Sequence, residues 1–247
     1  MAAQQDLAGR TALVTGAGRG LGAAVARALH DRGASVAAVD RDEDGLRCLA
    51  ADLGRVLAVP VDLATPRGVD EAHERAVDGL GPVDILVNNA AIAPARSLWE
   101  IAADEWDQVF AVNLRAAFFL TRRAAEGMRR RRSGRVVNVA SVAGQTPRGT
   151  SAHYGISKAG LLAMTKNFAA ELAPYDVTVN AVAPAMIRTP MVGTVSDETL
   201  RELTEKTPLR RIAEPEEVAA VVAFLAADTG AFITGATYDI NGGILMR

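Results

Sequence analysis

Short apolar runs alternate along the chain with longer Ala-rich stretches whose apolar positions recur at helical spacing. Such runs, rich in Val, Leu and Ala, are typical of strands buried on both faces of a parallel sheet. The predicted strands are 11–14, 34–39, 55–61, 83–87, 135–139, 177–183 and 236–240, and the main predicted helices are 23–31, 66–79, 104–130, 151–173 and 215–227. This alternation predicts one doubly wound α/β domain over residues 1–247, with helices on both faces of the sheet and a binding crevice at the carboxyl ends of the strands.

A glycine-rich turn joins the first predicted strand to the first predicted helix. Glycines allow backbone to approach a pyrophosphate closely, and the following helix offers free N–H groups and its positive dipole end. The spacing is T-G-x-x-x-G-x-G rather than G-x-G-x-x-G, but it stands between a strand and a helix, as a dinucleotide site requires. The predicted cofactor contacts in this turn are Gly16, Arg19, Gly20, Leu21 and Gly22.

Asp40 ends the second predicted strand, about 20 residues beyond the glycines, where a carboxylate binds a ribose 2′-hydroxyl. A carboxylate there repels the 2′-phosphate of NADP, whereas Arg19 and Arg41 are able to pair with it. The expected cofactor is therefore NAD, with NADP as the alternative. A simpler role for Asp40 is to cap the next helix.

Polar residues also close the third and fourth predicted strands. Asp62 and Leu63 are placed to reach an adenine edge. The fourth strand ends in an Asn-Asn-Ala run, in which Asn89 and Ala90 are predicted cofactor contacts. Asparagine side chains at this place brace the turn or border the cofactor, and the two roles are compatible.

Tyr154 and Lys158 stand four residues apart, so they share one face of a helix. A phenol titrates near pKa ~10, and a cation at roughly 4 Å with an effective dielectric of about 20 lowers that pKa by about three. The pair is then an acid–base device. An ordinary amphipathic helix with a half-buried Tyr and a solvated Lys is the simpler interpretation.

Composition narrows the function classes. A net charge of -2 and a pI near 6.0 indicate no general attraction to nucleic acid or anionic membranes. The N-terminal residues lack the pattern of a leader, and no apolar run approaches ~20 residues, so we expect a soluble cytoplasmic protein. No metal site is predicted, and the lone Cys48 is expected to be a partly buried small apolar residue.

At this point the chain resembles the short-chain dehydrogenase/reductase family over nearly all its length. The matching pieces occur in the order Thr15 to Gly22, Asp62, Asn88-Asn89-Ala90, Asn113, Ser141, Tyr154 with Lys158, Pro184 with Ile187 and Thr189, and Asn241-Gly242-Gly243. The resemblance implies a seven-stranded Rossmann-type sheet of order 3-2-1-4-5-6-7 and a homotetramer. Two departures stand out, because Ala91 and Ala185 occupy places where the family usually has glycine.

The resemblance also implies the role of each residue. Tyr154 would move the proton while a hydride passes between nicotinamide and a carbonyl or alcohol carbon. Lys158 would lower the pKa of Tyr154 and hydrogen-bond the nicotinamide ribose. Ser141 would hold the substrate oxygen, and Asn113 would hold a water that links the Lys to solvent, or would simply be a satisfied core Asn. The cofactor contacts implied after the sixth strand are Pro184, Ile187 and Thr189.

Two segments are expected to choose the substrate. Residues 186–214 interrupt the βα rhythm, contain a predicted short helix at 197–206 and are typical of a lid. Residues 143–153 would form the facing wall, with candidate polar contacts at Gln145, Arg148, Thr150 and His153; a catalytic role for His153 is not expected.

Three functions remain open. The first is an NAD(H)-dependent oxidoreductase of a small secondary alcohol or ketone. The second is an NADPH-dependent 3-oxoacyl-carrier-protein reductase, the branch that the layout resembles. Its acidic carrier would dock on the four arginines at 129–132, although cations at a helix C-terminus are also favourable without a partner. The third is a non-catalytic redox sensor, which has no need for the complete set of four catalytic residues.

Overall fold

The computed structural model describes residues 5–147, 151–189 and 197–246. Its strands are β1 (Thr11–Thr15), β2 (Ser35–Asp40), β3 (Val56–Pro60), β4 (Ile85–Asn88), β5 (Gly134–Val139), β6 (Val177–Pro184) and β7 (Thr237–Ile240). Its α-helices are α1 (Gly20–Asp31), α2 (Glu43–Leu53), α3 (Pro66–Leu80), α4 (Ala103–Phe110), α5 (Ala116–Arg131), α6 (Ala152–Leu172), α7 (Asp197–Lys206) and α8 (Pro215–Ala226). Each of the seven predicted strands is present, with its ends moved by at most two residues.

The strands form one parallel sheet in the order β3-β2-β1-β4-β5-β6-β7, which confirms the predicted Rossmann-type fold. Every residue of β1, β4, β5 and β6 is buried, because helices cover both faces. One face packs on α1, α2 and α8, and the other on α3, α5 and α6. The carboxyl ends of the strands therefore meet at one edge, where the predicted site residues lie.

The predicted continuous helix over 104–130 is wrong in one detail. A π-helical turn, Ala111–Arg115, separates α4 from α5. The turn contains Asn113, whose buried side chain bonds to the backbone of Ile92 and to Ser157. A π-turn adds a residue to the helical ladder, and such turns are frequent at functional sites.

Both glycine-to-alanine departures are tolerated by the backbone. Ala91 and Ala185 are absent from the described residues other than glycine that adopt a positive φ, which are Arg132, Ser151, Asp176 and Arg210. Neither position therefore needs the conformational freedom of glycine. In the part of the chain that the structure describes, no helix is long and apolar enough to cross a membrane.

Candidate active site

The N-terminus of α1 is left open, unlike those of its neighbours. Asp42 caps α2 by accepting from the Gly45 N–H at 3.0 Å, and Thr65 caps α3 by accepting from the Gly68 N–H at 3.0 Å. Among the described residues, no side chain caps α1, and its first turn contains no acidic residue. Its free N–H groups and positive dipole end are therefore available to an anionic ligand.

The glycine turn is shaped by contacts that exclude a side chain. A Cβ on Gly22 would lie 1.9 Å from the Gly16 carbonyl oxygen, which is backbone and cannot rotate away. Gly16 adopts φ +66°, and a Cβ there would come within 2.9 Å of the Ala90 Cα. The close packing of this turn on the strand ends fits the cradle of a dinucleotide pyrophosphate.

The turn after β4 braces the glycine turn. The Asn89 amide donates to the carbonyl oxygens of Thr15 and Gly16 at 2.9 and 3.1 Å. The Thr15 hydroxyl in turn accepts from the backbone N–H groups of Asn89 and Ala90. Asn88 points elsewhere, into a buried network with Thr121 and Asn138. Of the two predicted roles for Asn89, the structure contains the bracing one.

Asp40 is tied to the glycine turn. One carboxylate oxygen accepts from the Gly18 N–H at 2.9 Å and the other from the Asp42 N–H at 3.0 Å. The helix α2 is capped by Asp42, so the simpler role proposed for Asp40, capping the next helix, is wrong. Arg19 and Arg41 are exposed and, within the described residues, form no ion pair.

Asp62 and Leu63 follow β3 at the same edge. The Asp62 carboxylate accepts from the Ala64 N–H at 2.9 Å. The Leu63 side chain is buried in the core, so only its backbone is left to contact a ligand. Gly68 lets α3 start against this turn, since a Cβ there would lie 2.0 Å from the Asp62 carbonyl oxygen.

Lys158 is unusual among the site residues because its side chain is buried. Its side chain is almost completely buried, and Nζ donates to the Val139 carbonyl oxygen at 2.6 Å. Nζ lies 5.7 Å from the centre of the Tyr154 ring, so the two side chains share one face of α6. Burial lowers the pKa of Lys158 to about 7. The simpler interpretation of a solvated Lys is therefore wrong, because burial disfavours the charged form of this amine.

Asn113 is joined to α6 through Ser157. The Asn113 amide donates to Ser157 Oγ at 3.1 Å and to the Ile92 carbonyl oxygen at 3.0 Å, and its oxygen accepts from the Ile92 N–H at 2.8 Å. Ser157 is fully buried and donates to the Tyr154 carbonyl oxygen at 2.7 Å. Sequence reasoning missed Ser157, and the available signal was its position three residues after Tyr154.

Ser141 stands just beyond β5, with its oxygen 3.1 Å from the Ala143 N–H and 3.5 Å from the Pro184 carbonyl oxygen. Pro184 ends the adjacent strand β6. Ile187 forms an isolated bridge with Ala213, and the Thr189 hydroxyl lies 3.4 Å from the Ile187 carbonyl oxygen. Ser141 and the residues after β6 therefore lie at the carboxyl ends of the strands, the same edge of the sheet as the start of α6.

The wall and the lid are described in part. Gln145 bonds to Asp239 at 2.7 Å, and His153 is fully buried. The predicted short helix of the lid is confirmed as α7. Two of the candidate wall contacts, Arg148 and Thr150, lie outside the described residues, as do residues 190–196 of the predicted lid.

The arginines at 129–132 are largely occupied within the chain. Arg129 stacks on the Tyr175 ring at 4.5 Å and bonds its hydroxyl. Arg131 bonds to Asp84, and Arg132 to the Pro174 carbonyl oxygen. Among the described residues, Arg130 alone of the four has no such partner. Cys48 is exposed, contrary to expectation.

The fold and the site together define a dinucleotide-binding oxidoreductase. The family profile described as "Enoyl-(Acyl carrier protein) reductase" matches residues 16–245. The chain is 41% identical to Nodulation protein G of Rhizobium sp. (strain N33) over 242 residues, 98% of this chain and 99% of that protein. It is 38% identical to a 3-oxoacyl-[acyl-carrier-protein] reductase of Vibrio cholerae serotype O1, again over 98% of this chain and 99% of that protein.

A solved structure agrees with these relatives. The 3-ketoacyl-(acyl-carrier-protein) reductase from Brucella melitensis, complexed with NADH, superposes with a TM-score of 0.92 at 33% identity, covering 97% of this chain and 100% of that one. The chain belongs to the short-chain dehydrogenase/reductase family. It is accordingly an NAD(P)-dependent oxidoreductase that acts on CH–OH groups.

Proposed function

We propose that this protein is an NAD(H)-dependent oxidoreductase that transfers a hydride between nicotinamide and a small secondary alcohol or ketone. The bound nicotinamide would supply or accept the hydride. In reduction, the Tyr154 hydroxyl gives its proton to the substrate oxygen as that hydride reaches the carbonyl carbon; in oxidation, the tyrosinate takes the proton from the alcohol. The observation that carries the proposal is the buried Lys158 on the same face of α6 as Tyr154.

The other residues have supporting roles in this proposal. Ser141 holds the substrate oxygen beside the phenol, which restricts the orientation of the reacting carbon. Lys158, when protonated, would lower the pKa of Tyr154 and hydrogen-bond the nicotinamide ribose; its own pKa is lowered to about 7 by burial. Asn113 and Ser157 hold the turn of α6 that carries both.

NAD is the proposed cofactor because Asp40 ends β2 at the glycine turn, where a ribose 2′-hydroxyl is expected. Asp40 is fixed by two backbone N–H groups and keeps lone pairs for ribose hydroxyls. Asp42, Glu43 and Asp44 stand at the start of α2 immediately after it. A 2′-phosphate would meet the negative charge of Asp40. The reductase from Brucella melitensis, which resembles this chain, was solved in complex with NADH, and this supports NAD as the proposed cofactor.

The second candidate is an NADPH-dependent 3-oxoacyl-carrier-protein reductase. The relative from Vibrio cholerae bears that name, and the exposed Arg19 and Arg41 are free to meet a 2′-phosphate. Against a carrier-docking patch, Arg129, Arg131 and Arg132 are held by contacts within the chain.

We also propose that residues 186–214 act as a lid within a single domain of residues 1–247. The two ends of the segment are pinned together, since the Arg188 N–H bonds the Ala213 carbonyl oxygen at 2.8 Å and the Ala213 N–H bonds the Met186 carbonyl oxygen at 3.1 Å. A segment whose two ends meet in this way fits the role of a lid.

A homotetramer is proposed as the assembly. Phe118 and Phe119 on α5 are 42% and 39% exposed, and Ile156 on α6 is 48% exposed. Large apolar side chains on neighbouring long helices favour burial against a second copy. Light scattering coupled to size-exclusion chromatography measures the mass of the assembly directly.

The test of function is a panel of secondary alcohols, ketones, acyl thioesters and acyl-carrier-protein substrates, assayed with NAD(H) and NADP(H) by nicotinamide absorbance. Turnover of a small alcohol or ketone with NAD(H) is expected. A wild-type enzyme that prefers NADPH and a carrier-bound 3-oxoacyl group would replace the proposal with the second candidate.

A further inference from the structure

A buried histidine and a partly buried carboxylate lie beside the proposed proton donor. His153, in the first turn of α6, has a fully buried side chain, and its Nε2 is 3.4 Å from Oε1 of Glu105 in α4. Glu105 Oε2 is 3.2 Å from Arg96 Nε. Among the described residues, neither His153 nitrogen nor Glu105 Oε1 has an aligned hydrogen bond. Such groups are costly to bury, so a structural gain at this place must offset them.

A second anchor holds the same end of α6. Ser151 adopts φ 62° and ψ 44°, in the left-handed region that favours glycine. Its N–H donates to the Arg96 carbonyl oxygen at 2.9 Å, and its hydroxyl donates to the Pro94 carbonyl oxygen at 2.7 Å. Backbone in this region persists when its surroundings hold it, and the strain is stored at functional sites.

The two anchors attach the start of α6 to one support. Ser151 binds the loop that carries Pro94 and Arg96, while His153 meets Glu105, which also contacts Arg96. Successive helical residues are about 100° apart around the axis. His153 can therefore face α4 while the next residue, Tyr154, shares its face with Lys158.

We propose that Glu105 and His153 are positioning residues, which fix the first turn of α6 against α4 so that the Tyr154 hydroxyl meets the substrate oxygen at a reactive distance. Neither residue touches the reacting atoms. The inference rests on Tyr154 being the proton donor. A displacement of about 1 Å at a reacting group costs up to about 100-fold in rate, so a small tilt of this turn is enough to be measured.

The test compares Glu105→Ala, Glu105→Gln, His153→Ala and the Glu105/His153 double alanine variant with wild type. Asp107→Ala is the matched control, because Asp107 is an exposed carboxylate on the same helix. We expect kcat to fall about tenfold or more in Glu105→Ala. The dissociation constant of NADH, measured by nicotinamide fluorescence, and the kcat of the control are expected to stay unchanged.

Two further results support a positioning role over a packing role. Glu105→Gln keeps an acceptor for His153 and is expected to recover most of the lost kcat. The double variant is expected to be no slower than the slower single variant, since the two residues act together. A lowered melting temperature with unchanged kcat in Glu105→Ala would overturn the inference, and so would a parallel loss of NADH affinity.

A readout without turnover separates this inference from the proposed function. For wild type and for each variant, the phenolate absorbance minus that of the same protein carrying Tyr154→Phe follows the ionisation of Tyr154 alone. Its midpoint is expected to shift in Glu105→Ala and to stay in Asp107→Ala; an unshifted midpoint contradicts the positioning role. Retained turnover in Tyr154→Phe would instead reject the acid–base assignment itself, and that result needs neither Glu105 variant.

Discussion

The glycine turn after β1 and the first turns of α6 lie at the same edge of the sheet, but different contacts hold them. The glycine turn is held by hydrogen bonds between backbone groups and the short side chains of Thr15, Asp40 and Asn89. The start of α6 contains a buried Lys158 and a strained Ser151. The first region is formed at little energetic cost, whereas the second holds groups that destabilise the fold and suit proton transfer.

The largest effect on turnover is expected at the start of α6. Tyr154→Phe removes the proton donor and leaves the ring, so kcat should fall about 10³-fold or more while the dissociation constant of NADH stays near that of wild type. Steady-state rates and nicotinamide fluorescence measure the two quantities. If turnover stays within a few-fold of wild type, the division between a binding region and a reacting region fails.

Gly22→Ala tests the glycine turn. The added Cβ would lie 1.9 Å from the Gly16 carbonyl oxygen, so the turn must open. We expect cofactor affinity to fall by about 100-fold, equivalent to about 2.7 kcal/mol, together with a lower melting temperature. Gly127→Ala in α5 is the control, because its Cβ would approach only the guanidinium of Arg131, at 3.0 Å, and no backbone atom. The control is expected to bind cofactor normally; equal losses in both variants would contradict the prediction.

Lys158→Met measures how much the buried ammonium of Lys158 lowers the free energy of unfolding. The folded state lowers the pKa of Lys158 from 10.5 to about 7. Between these values the unfolded chain binds the extra proton, so the free energy of unfolding rises with pH through this window. Below pH 7 both states are protonated and the full cost, about 5 kcal/mol, is present. Denaturant titrations of the cofactor-free protein from pH 6 to pH 10 should show this rise in wild type and lose it in Lys158→Met. A parallel rise in both proteins would mean that Lys158 is not its source.

The smallest effect concerns cofactor choice. Asp40→Asn keeps an oxygen able to accept from Gly18 or Asp42 but removes the charge that faces a 2′-phosphate. The ratio of kcat/KM for NADP to that for NAD should rise about tenfold, or about 1.4 kcal/mol. Asp40→Ala also removes the tether of the glycine turn, so it should in addition weaken NAD binding. A wild-type enzyme that already prefers NADP would show that the carboxylate does not select the cofactor.

Much of the first region follows from local sequence signals. The apolar runs predicted the seven strands, and the predicted strand order is confirmed. The distance from the glycines to Asp40 placed the carboxylate at the turn, but capping by Asp42 was not anticipated. A strand end followed by several acidic residues offers more than one cap, and the choice between them depends on backbone angles at the strand end.

Less of the second region was predictable. The four-residue spacing placed Tyr154 and Lys158 on one face of a helix, and the structure agrees. The same spacing carried no information on burial, so by itself it also allowed the simpler interpretation of a solvated Lys. The contacts of Arg129, Arg131 and Arg132 with Tyr175, Asp84 and Pro174 were also not predictable, because these partners lie elsewhere in the chain.

The sequence by itself determined the order of the βα units, the glycine turn and the pairing of Tyr154 with Lys158. These features depend on periodicity and on residues that are neighbours along the chain. Only the tertiary structure decided that Lys158 has a pKa near 7, that a π-helical turn brings Asn113 to Ser157, and that His153 meets Glu105. Burial and charge pairing arise when distant elements pack together, so the energetic state of Tyr154 and Lys158 was set by the fold rather than by their spacing.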